Sequence, residues 1–173
     1  MKQIKLINPD NISDFEAESF KLREAARAVV FDENGMIALL FASKDDYYKL
    51  PGGGIEDTED KIVALKRECL EEIGCNVDVV NEIGLITEYR NKSKLKQISY
   101  CYLVKVNGKK GKPSFTEDEI KNGFREVWLS YEDATRALNK INTTNFVGGT
   151  YIAQRDQTFL KEARVYLDKY LCK

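Results

Sequence analysis

Residues 53–75 read GGIEDTEDKIVALKRECLEEIGC and place Glu68, Glu71 and Glu72 at spacings i, i+3 and i+4. Residues at these spacings share one face of an α-helix. Like charges four residues apart destabilise a helix by roughly 0.2–0.5 kcal/mol per pair, so the cluster makes most sense if a cation binds among the carboxylates. Carboxylates without accompanying His or Cys favour Mg²⁺, with Mn²⁺ as the alternative. The stretch therefore predicts a helix that carries a site for a hard divalent ion.

The same stretch resembles the signature of the Nudix hydrolases, G-x5-E-x7-R-E-U-x-E-E-x-G-U, in which U is a bulky apolar residue. Every fixed position is filled in this sequence, by Gly53, Glu59, Arg67, Glu68, Glu71, Glu72 and Gly74. The two apolar positions hold Cys69 and Cys75, which are small and suited to burial. The preceding run LPGGG at residues 50–54 is also usual in that family. So many fixed positions in register argue against a chance match.

The resemblance implies a role for each of these residues. Glu68 and Glu72 are expected to bind the metal directly, and Glu71 directly or through water. The backbone carbonyl of Gly53 is expected to be a further ligand, because glycines permit close approach of the backbone. Arg67 is expected to pair with Glu59, which would lock the preceding loop onto the helix and orient the metal ligands. The alternative for Arg67 and Glu59 is a surface ion pair worth ~0–1 kcal/mol.

The general base is open to two interpretations. The sequence contains no His, so a carboxylate, a lysine or solvent must remove the proton. Glu71 is already near the predicted metal. Glu119 lies before Trp128, in a region where relatives often carry an additional ligand or base, and it is the preferred candidate. Its alternative is a solvated loop acid.

Substrate recognition rests on few residues. Arg23 and Arg27 share one face of a predicted strand, so both could meet phosphates, although an arginine on an edge strand is more often solvated. Tyr47 and Tyr48 precede the Gly-rich turn, and Tyr48 is the candidate to stack on a base or ribose. Packing in the core or at its rim is the alternative for both tyrosines.

The fold implied by the resemblance is α+β, an α/β/α sandwich around a mixed β-sheet, with residues 1–173 forming a single Nudix hydrolase domain. Local patterns agree with it. Strands are predicted at 24–31, 36–42, 77–83, 85–89, 97–106 and 127–129, and helices from Asp57 or Thr58 to Gly74, at 131–139 and at 151–170. The Asn34-Gly35 pair predicts a hairpin between the first two strands. Helices could then cover both faces of the sheet.

Composition excludes several classes of protein. The 173 residues are 43% hydrophobic and 32% charged, and 27 basic against 28 acidic residues give a net charge of -1. No global field draws the chain to a nucleic-acid polymer or a membrane. Nothing near the start resembles a signal peptide, so a cytoplasmic location is expected. The four cysteines form no C-x-x-C pair, which indicates reduced thiols rather than zinc ligands.

The predicted function is a Mg²⁺-dependent pyrophosphohydrolase. Its substrate would be a nucleoside diphosphate derivative: a nucleoside triphosphate, a nucleotide sugar, ADP-ribose or a dinucleoside polyphosphate. Water would attack phosphorus, with the metal offsetting the charge of the diphosphate. One alternative is a noncatalytic nucleotide-binding regulatory module, although such a module has no need of all three glutamates. Another is an isomerase of diphosphate lipid precursors, which needs Cys and His ligands. The oligomeric state cannot be read from the sequence; relatives are often dimers, so a homodimer is one open possibility.

Overall fold

The computed structural model describes residues 1–140 and 148–171. The elements follow in the order β1 (Gln3–Ile7), α1 (Asp14–Ala17), β2 (Lys21–Phe31), β3 (Ile37–Ala42), β4 (Tyr47–Lys49), α2 (Lys61–Ile73), β5 (Asn76–Arg90), β6 (Leu95–Asn107), α3 (Glu117–Lys121), β7 (Phe124–Leu129), α4 (Tyr131–Asn139) and α5 (Gly149–Leu171). No helix in this described part of the chain is both long and apolar enough to cross a membrane.

One mixed sheet of seven strands organises the molecule, in the order β1-β5-β6-β2-β3-β4 with β7 also paired to β3. The pairs β1–β5 and β2–β6 are parallel, and the other pairs are antiparallel. Strand β2 alternates its side chains between the two faces: Val29 and Phe31 enter one core, and Ala28 and Val30 enter the other. The predicted mixed sheet is confirmed.

Helices cover both faces of this sheet. Leu65, Cys69 and Ile73 of α2 pack in one core with residues of β2 and β6. Phe159, Leu160 and other apolar residues of α5 pack in the second core together with α4. The apolar spacing of α2 and α5 thus buries one stripe of each helix against opposite sides of the sheet. The predicted α/β/α sandwich is confirmed.

Strands β2 and β3 pair only beside the turn that joins them and then diverge. The candidate site forms where they diverge. Only Phe31 and Ile37 pair between the two strands. Toward the start of β2, residues 51–55 lie along the strand edge that β3 leaves free. The amides of Ala28 and Ala26 donate to the carbonyls of Pro51 and Gly53, each at 3.0 Å, and the amide of Ile55 donates to Glu24. The Gly-rich segment therefore runs beside β2 as a short substitute for β3.

Three local expectations from the sequence are corrected. Helix α2 does not begin at Asp57 or Thr58: Thr58 has φ of 68°, outside the helical region, and Asp60 caps the helix instead. The two strands predicted at 77–83 and 85–89 are one strand, β5, in which two register shifts accommodate the irregular pattern. Strand β2 is internal rather than at an edge, because β6 and the Gly-rich segment flank it. Gly74 ends α2 with φ of 64°, as predicted.

Four short elements have no counterpart among the predicted ones: β1, α1, β4 and α3. The structure describes three of the four cysteines, and Cys69, Cys75 and Cys101 are buried free thiols, as predicted. Cys172, the fourth cysteine, lies outside the described residues.

Candidate active site

Helix α2 directs its acidic side chains toward the Gly-rich segment. The Asp60 side chain accepts hydrogen bonds from the amides of Ile62 and Val63 at the start of the helix. The apolar stripe then fixes the rotation of the helix, because Leu65 and Cys69 must face the sheet. This orientation encloses Glu72, whose side chain is 3% exposed, and leaves Glu71 45% exposed.

The backbone of the Gly-rich segment touches these acids directly. The amide of Gly52 donates to Oε2 of Glu72 at 2.5 Å. Gly52 has φ of 126°, and a Cβ there would overlap the carbonyl oxygen of Ala26. A Cβ on Gly53 would overlap the carboxylate of Glu68. Gly52 therefore has to be glycine, for its backbone conformation and for the lack of space, while glycine at position 53 lets the Glu68 carboxylate lie directly against the backbone.

Lys49 is the second partner of Glu72 and was missed by the sequence analysis. Its Nζ lies 2.9 Å from Oε1 of Glu72, and the Lys49 side chain is only 14% exposed. The ammonium also lies 5.0 Å from the ring centre of Phe124, within cation–π range. No local sequence pattern marks this residue, since its partner is 23 positions away.

Arg67 holds the loop before α2 onto the helix. Its Nε and NH2 bind the two carboxylate oxygens of Glu59, each at 3.0 Å, so the implied ion pair is present as a bidentate contact. NH2 also donates to the carbonyl of Gly54 at 3.1 Å. NH1 approaches Glu68 at 2.9 Å and Glu71 at 3.3 Å. These hydrogen bonds, above all those of Glu59, raise the pKa of Arg67 above its ordinary value.

The residues of the site fit a divalent metal ion. Burial and then the charge of Glu72 raise the pKa of Glu68, while Arg67 lowers it. A cation between Glu68 and Glu72 would relieve both effects. The donors are carboxylates beside glycine backbone, a set that suits a hard ion. Among residues 1–140 and 148–171, no three acidic or cysteine side chains lie close enough together to bind one metal ion as they stand. Lys49 and Arg67 hold Glu72 and Glu68 instead. The carbonyl of Gly53 accepts the amide of Ala26 at 3.0 Å, which leaves one lone pair for a ligand role.

The two candidate bases lie in different surroundings. Helix α2 carries most residues of the signature and is the box helix; Glu71 lies on its exposed side, beside Arg67. Glu119 lies in the first turn of α3, where its Oε2 accepts from the amide of Thr116 at 2.8 Å and from the Thr116 hydroxyl at 2.9 Å. The amide of Glu119 in turn donates to the Thr116 hydroxyl at 3.3 Å, and this bond and the bond from the Thr116 amide form a capping box, which was not foreseen. The carboxylate of Glu119 is thus engaged with its own helix, and its role as a base stays a prediction.

Arg23 and Arg27 lie on the same face of β2 but in unlike environments. Arg27 is buried and donates to the carbonyl of Gly52, while its Nε has no hydrogen-bond partner among the described residues. Burial, followed by the charge of Arg155, lowers the pKa of Arg27 to about 10. Arg23 is exposed, and its NH1 donates to Oε1 of Gln97 at 2.8 Å. Arg23 lines a cavity of about 550 Å³ between the start of β2 and residues 54–59.

The two tyrosines before the Gly-rich segment pack against other side chains. Tyr47 is buried, with its ring edge-on to Phe124 at 6.4 Å between centres. Tyr48 lies 4.7 Å from the ring of Phe41 and packs against the α5-side core. These contacts favour the packing interpretation for both.

A buried ionic cluster behind the Gly-rich segment was also missed. It consists of Glu88 on β5 and Arg155 and Asp156 on α5, all at most 1% exposed. Glu88 lies 67 positions from Arg155, so no local spacing rule could have found the cluster.

Comparisons with known proteins agree with this geometry. The family described as NUDIX domain matches residues 21–147. Diphosphoinositol polyphosphate phosphohydrolase 2 of Rattus norvegicus is 27% identical over 131 residues, covering 75% of this chain and 69% of that protein. A NUDIX hydrolase from Nitrosomonas europaea shares the fold with a TM-score of 0.66 at 15% identity, over 84% of this chain and 90% of that one. The Ap4A hydrolase of C. elegans gives 0.58 at 16% identity, over 85% and 99%.

Proposed function

The chain belongs to the Nudix hydrolase family, and from this we propose that it is a Mg²⁺-dependent pyrophosphohydrolase of nucleoside diphosphate derivatives. The observation that carries the proposal is the enclosed pair of acids, Glu68 and Glu72, against the glycine backbone. Glu68, Glu71, Glu72 and the carbonyl of Gly53 would hold the ion, with Mn²⁺ as a substitute. When bound, the ion offsets phosphate charge and activates water as a nucleophile.

The protein's own cations have a distinct part in this proposal. Arg67 orients Glu68 and ties it to Glu59 and the Gly54 carbonyl, so the acids keep their positions during turnover. Lys49 holds Glu72 in the same way from the other side of the Gly-rich segment. Such supporting contacts typically affect metal affinity or activity 10–100-fold.

We assign the proton-accepting role to Glu71 in preference to Glu119. Glu71 is the exposed acid of the box helix, while Glu119 caps α3. Glu71→Gln should lower kcat by ~10²–10⁴-fold at saturating Mg²⁺, the usual share of general-base catalysis. Glu119→Gln should leave kcat nearly unchanged and alter stability little, because the amide oxygen of Gln can still accept from the Thr116 amide in a capping box. A large loss of kcat in Glu119→Gln alone would return the role to Glu119.

Arg23 is proposed as the phosphate-binding arginine, because it is exposed and lines the 550 Å³ cavity. That volume lies within the range of small-molecule sites. Arg27 is buried, so its role in this proposal is to hold the Gly52 carbonyl. Tyr48 packs on Phe41, so it is given no part in substrate binding in this proposal. Arg23→Ala should then mainly raise KM.

A second substrate class is favoured by the relatives. Several are named diphosphoinositol polyphosphate phosphohydrolases, at 25–27% identity. The deciding experiment is a product screen by anion-exchange chromatography, which detects release of phosphate, pyrophosphate or a phosphate ester from nucleoside triphosphates, nucleotide sugars, ADP-ribose, dinucleoside polyphosphates and diphosphoinositol polyphosphates, each with Mg²⁺ and with chelator. Release only with Mg²⁺ supports the proposed chemistry and selects the class. Binding of a nucleotide without release from any substrate would favour the noncatalytic module.

The proposal also includes one domain over residues 1–173, a cytoplasmic location and a homodimer. Light scattering on the purified protein measures its mass, and a value equal to one chain would remove the dimer. Cell fractionation tests the location.

A further inference from the structure

The Leu50–Gly53 segment is held from the side opposite α2 by a buried carboxylate. The amide of Leu50 donates to Oδ2 of Asp156 at 2.9 Å, although the two residues are 106 positions apart. Asp156 is fully buried on α5. Helix α5 begins at Gly149, after residue 147 where the match to the shared domain ends. A side chain that lies beyond the end of this sequence match therefore contacts the segment that carries the active-site glycines.

Asp156 is itself fixed by a chain of buried charges. Its Oδ1 accepts from Nε of Arg155 at 2.7 Å, and NH1 of Arg155 approaches Oε1 of Glu88 at 3.3 Å. The other oxygen of Glu88 accepts from Nε of Arg90 at 2.7 Å. Each of these contacts restricts the rotation of the next side chain, so Asp156 has one orientation.

The charges are costly to bury, and stability alone does not account for them. Apolar side chains of similar volume often replace buried ion pairs without loss of stability. A buried carboxylate has a use that an apolar side chain lacks, since it fixes a backbone amide by a directional hydrogen bond. In this case the amide belongs to Leu50, two residues before Gly52.

Both backbone polar groups of Gly52 are hydrogen-bonded to charged side chains. Its amide donates to Glu72, and its carbonyl accepts from the buried Arg27. Asp156 is among the charges that act on Arg27 and offsets part of the repulsion from Arg155. Asp156 on α5 thus affects Gly52 in two ways. It holds the amide of Leu50, two residues earlier in the chain, and its charge acts on Arg27, which binds the Gly52 carbonyl.

We infer that Asp156, held by Arg155, is a positioning residue that fixes the Leu50–Gly53 segment and so sets the place of Glu72 for metal binding. This inference rests on the proposed function only where metal and turnover are measured. Its structural part, the ordering of the segment by α5, holds in the metal-free protein.

Asp156→Asn tests the inference. The amide oxygen of Asn can accept from Leu50 or from Arg155, but one oxygen cannot serve both where two served before. In metal-free protein, amide hydrogen exchange at Leu50 and Gly52 should speed up at least about tenfold relative to amides of β6. The Mg²⁺ concentration for half-maximal activity should rise by about 10–100-fold, with substrate KM at saturating Mg²⁺ nearly unchanged.

The matched control is Leu167→Ala, a fully buried core residue of the same helix. It should destabilise the protein without selective exchange at Leu50 and Gly52 and without a change in Mg²⁺ requirement. If Asp156→Asn does not fold, Arg155→Lys carries the same measurements, because one ammonium cannot replace both guanidinium contacts. Exchange and Mg²⁺ dependence equal to those of Leu167→Ala would overturn the inference. The exchange measurement needs no activity, so an inactive wild-type chain would count against the proposed function only.

Discussion

Glu72 is the most enclosed acid of the box helix, and its partners decide what its removal does. Relief of like-charge repulsion with Glu68 would by itself predict a stabilised Glu72→Gln variant. The buried pair with Lys49 reverses the sign, because the ammonium would lose its counter-charge in a largely enclosed place.

Glu72→Gln should therefore lower the unfolding free energy of the metal-free protein by about 1–3 kcal/mol and weaken Mg²⁺ binding. Urea unfolding and calorimetric Mg²⁺ titration measure the two effects. Glu71→Gln, which removes the same charge from a half-exposed position, should change stability by at most ~1 kcal/mol. Equal stability of the two variants would show that the Lys49 contact contributes nothing.

A substitution at Gly53 changes the geometry of the metal site without changing its charge. In Gly53→Ala the added methyl would displace the Glu68 carboxylate, which is the far end of a flexible side chain and can swing away. Stability should change by less than about 1 kcal/mol, while the Mg²⁺ requirement rises by about 10–100-fold. Gly54→Ala is the control, because its Cβ would meet only Arg23 at 3.4 Å. A Mg²⁺ requirement that is the same in both variants would contradict the contact with Glu68.

At the scale of the element, the start of α2 is decided by a side chain outside the helix. Asp57, Thr58 and Asp60 can all cap a helix. The bidentate contact with Arg67 keeps Glu59 in the preceding loop, so the first residue free to cap is Asp60. Asp60→Ala should cost about 0.5–2 kcal/mol in thermal or urea unfolding, and Asp57→Ala close to nothing. A larger loss of stability in Asp57→Ala than in Asp60→Ala would place the start of the helix near Asp57, as the sequence pattern predicted.

The hairpin turn after β2 is tied to the loop after β6. Lys110 binds Asp32 at 2.6 Å, and its ammonium lies 3.4 Å from the ring centre of Trp128. Burial raises the pKa of Asp32, but hydrogen bonds from Lys110, Met36 and Asn34 outweigh burial and hold that pKa below its ordinary value.

A lowered pKa stabilises the folded state above the unfolded value of about 3.9, and this stabilisation is lost as pH falls through the lower folded value. Asp32→Asn should therefore cost about 1–3 kcal/mol at pH 7, a difference that shrinks below about pH 4. Urea unfolding followed by Trp128 fluorescence measures it. Glu33→Gln, an exposed neighbour in the same turn, should show no such pH-dependent difference.

Sequence patterns predicted the elements whose signals are local. The largely apolar runs at 24–31 and 97–106 and the helical spacing in 151–170 identified β2, β6 and α5. Gly74 marked the end of α2. Strand β1 was missed because its partner β5 lies some eighty residues away, and a short parallel edge strand has no turn to announce it.

The site residues also divide into those that a local sequence pattern predicts and those that it does not. The box acids, Arg67 and Glu59 follow from a fixed spacing, and the structure brings Arg67 into contact with Glu59, Glu68 and Glu71. Lys49 and Asp156 could not be found, since each meets its partner only after the sheet and α5 have formed. Tertiary contacts of this kind carry no local periodicity.

At the scale of the molecule, the sheet is the layer that both cores share in the part of the chain that the structure describes. We expect α2 and α5 to unfold together, because either core lost alone would expose one face of every central strand. Leu65→Ala and Leu160→Ala, on opposite faces, should each cost about 2–5 kcal/mol. In both variants, urea transitions by Trp128 fluorescence and by far-UV circular dichroism should coincide. Separate midpoints would divide the chain into two folding units.

The three described cysteines have a practical consequence for chemical labelling. Burial raises the pKa of the thiols of Cys69, Cys75 and Cys101, so their thiolate forms are scarce at neutral pH. Maleimides and peroxide react with thiolates that solvent can reach. In a Cys172→Ser background, a cysteine introduced at the exposed Lys109 would therefore take a dye alone. The folded protein could then be followed at a single fluorophore while its native thiols stay unmodified.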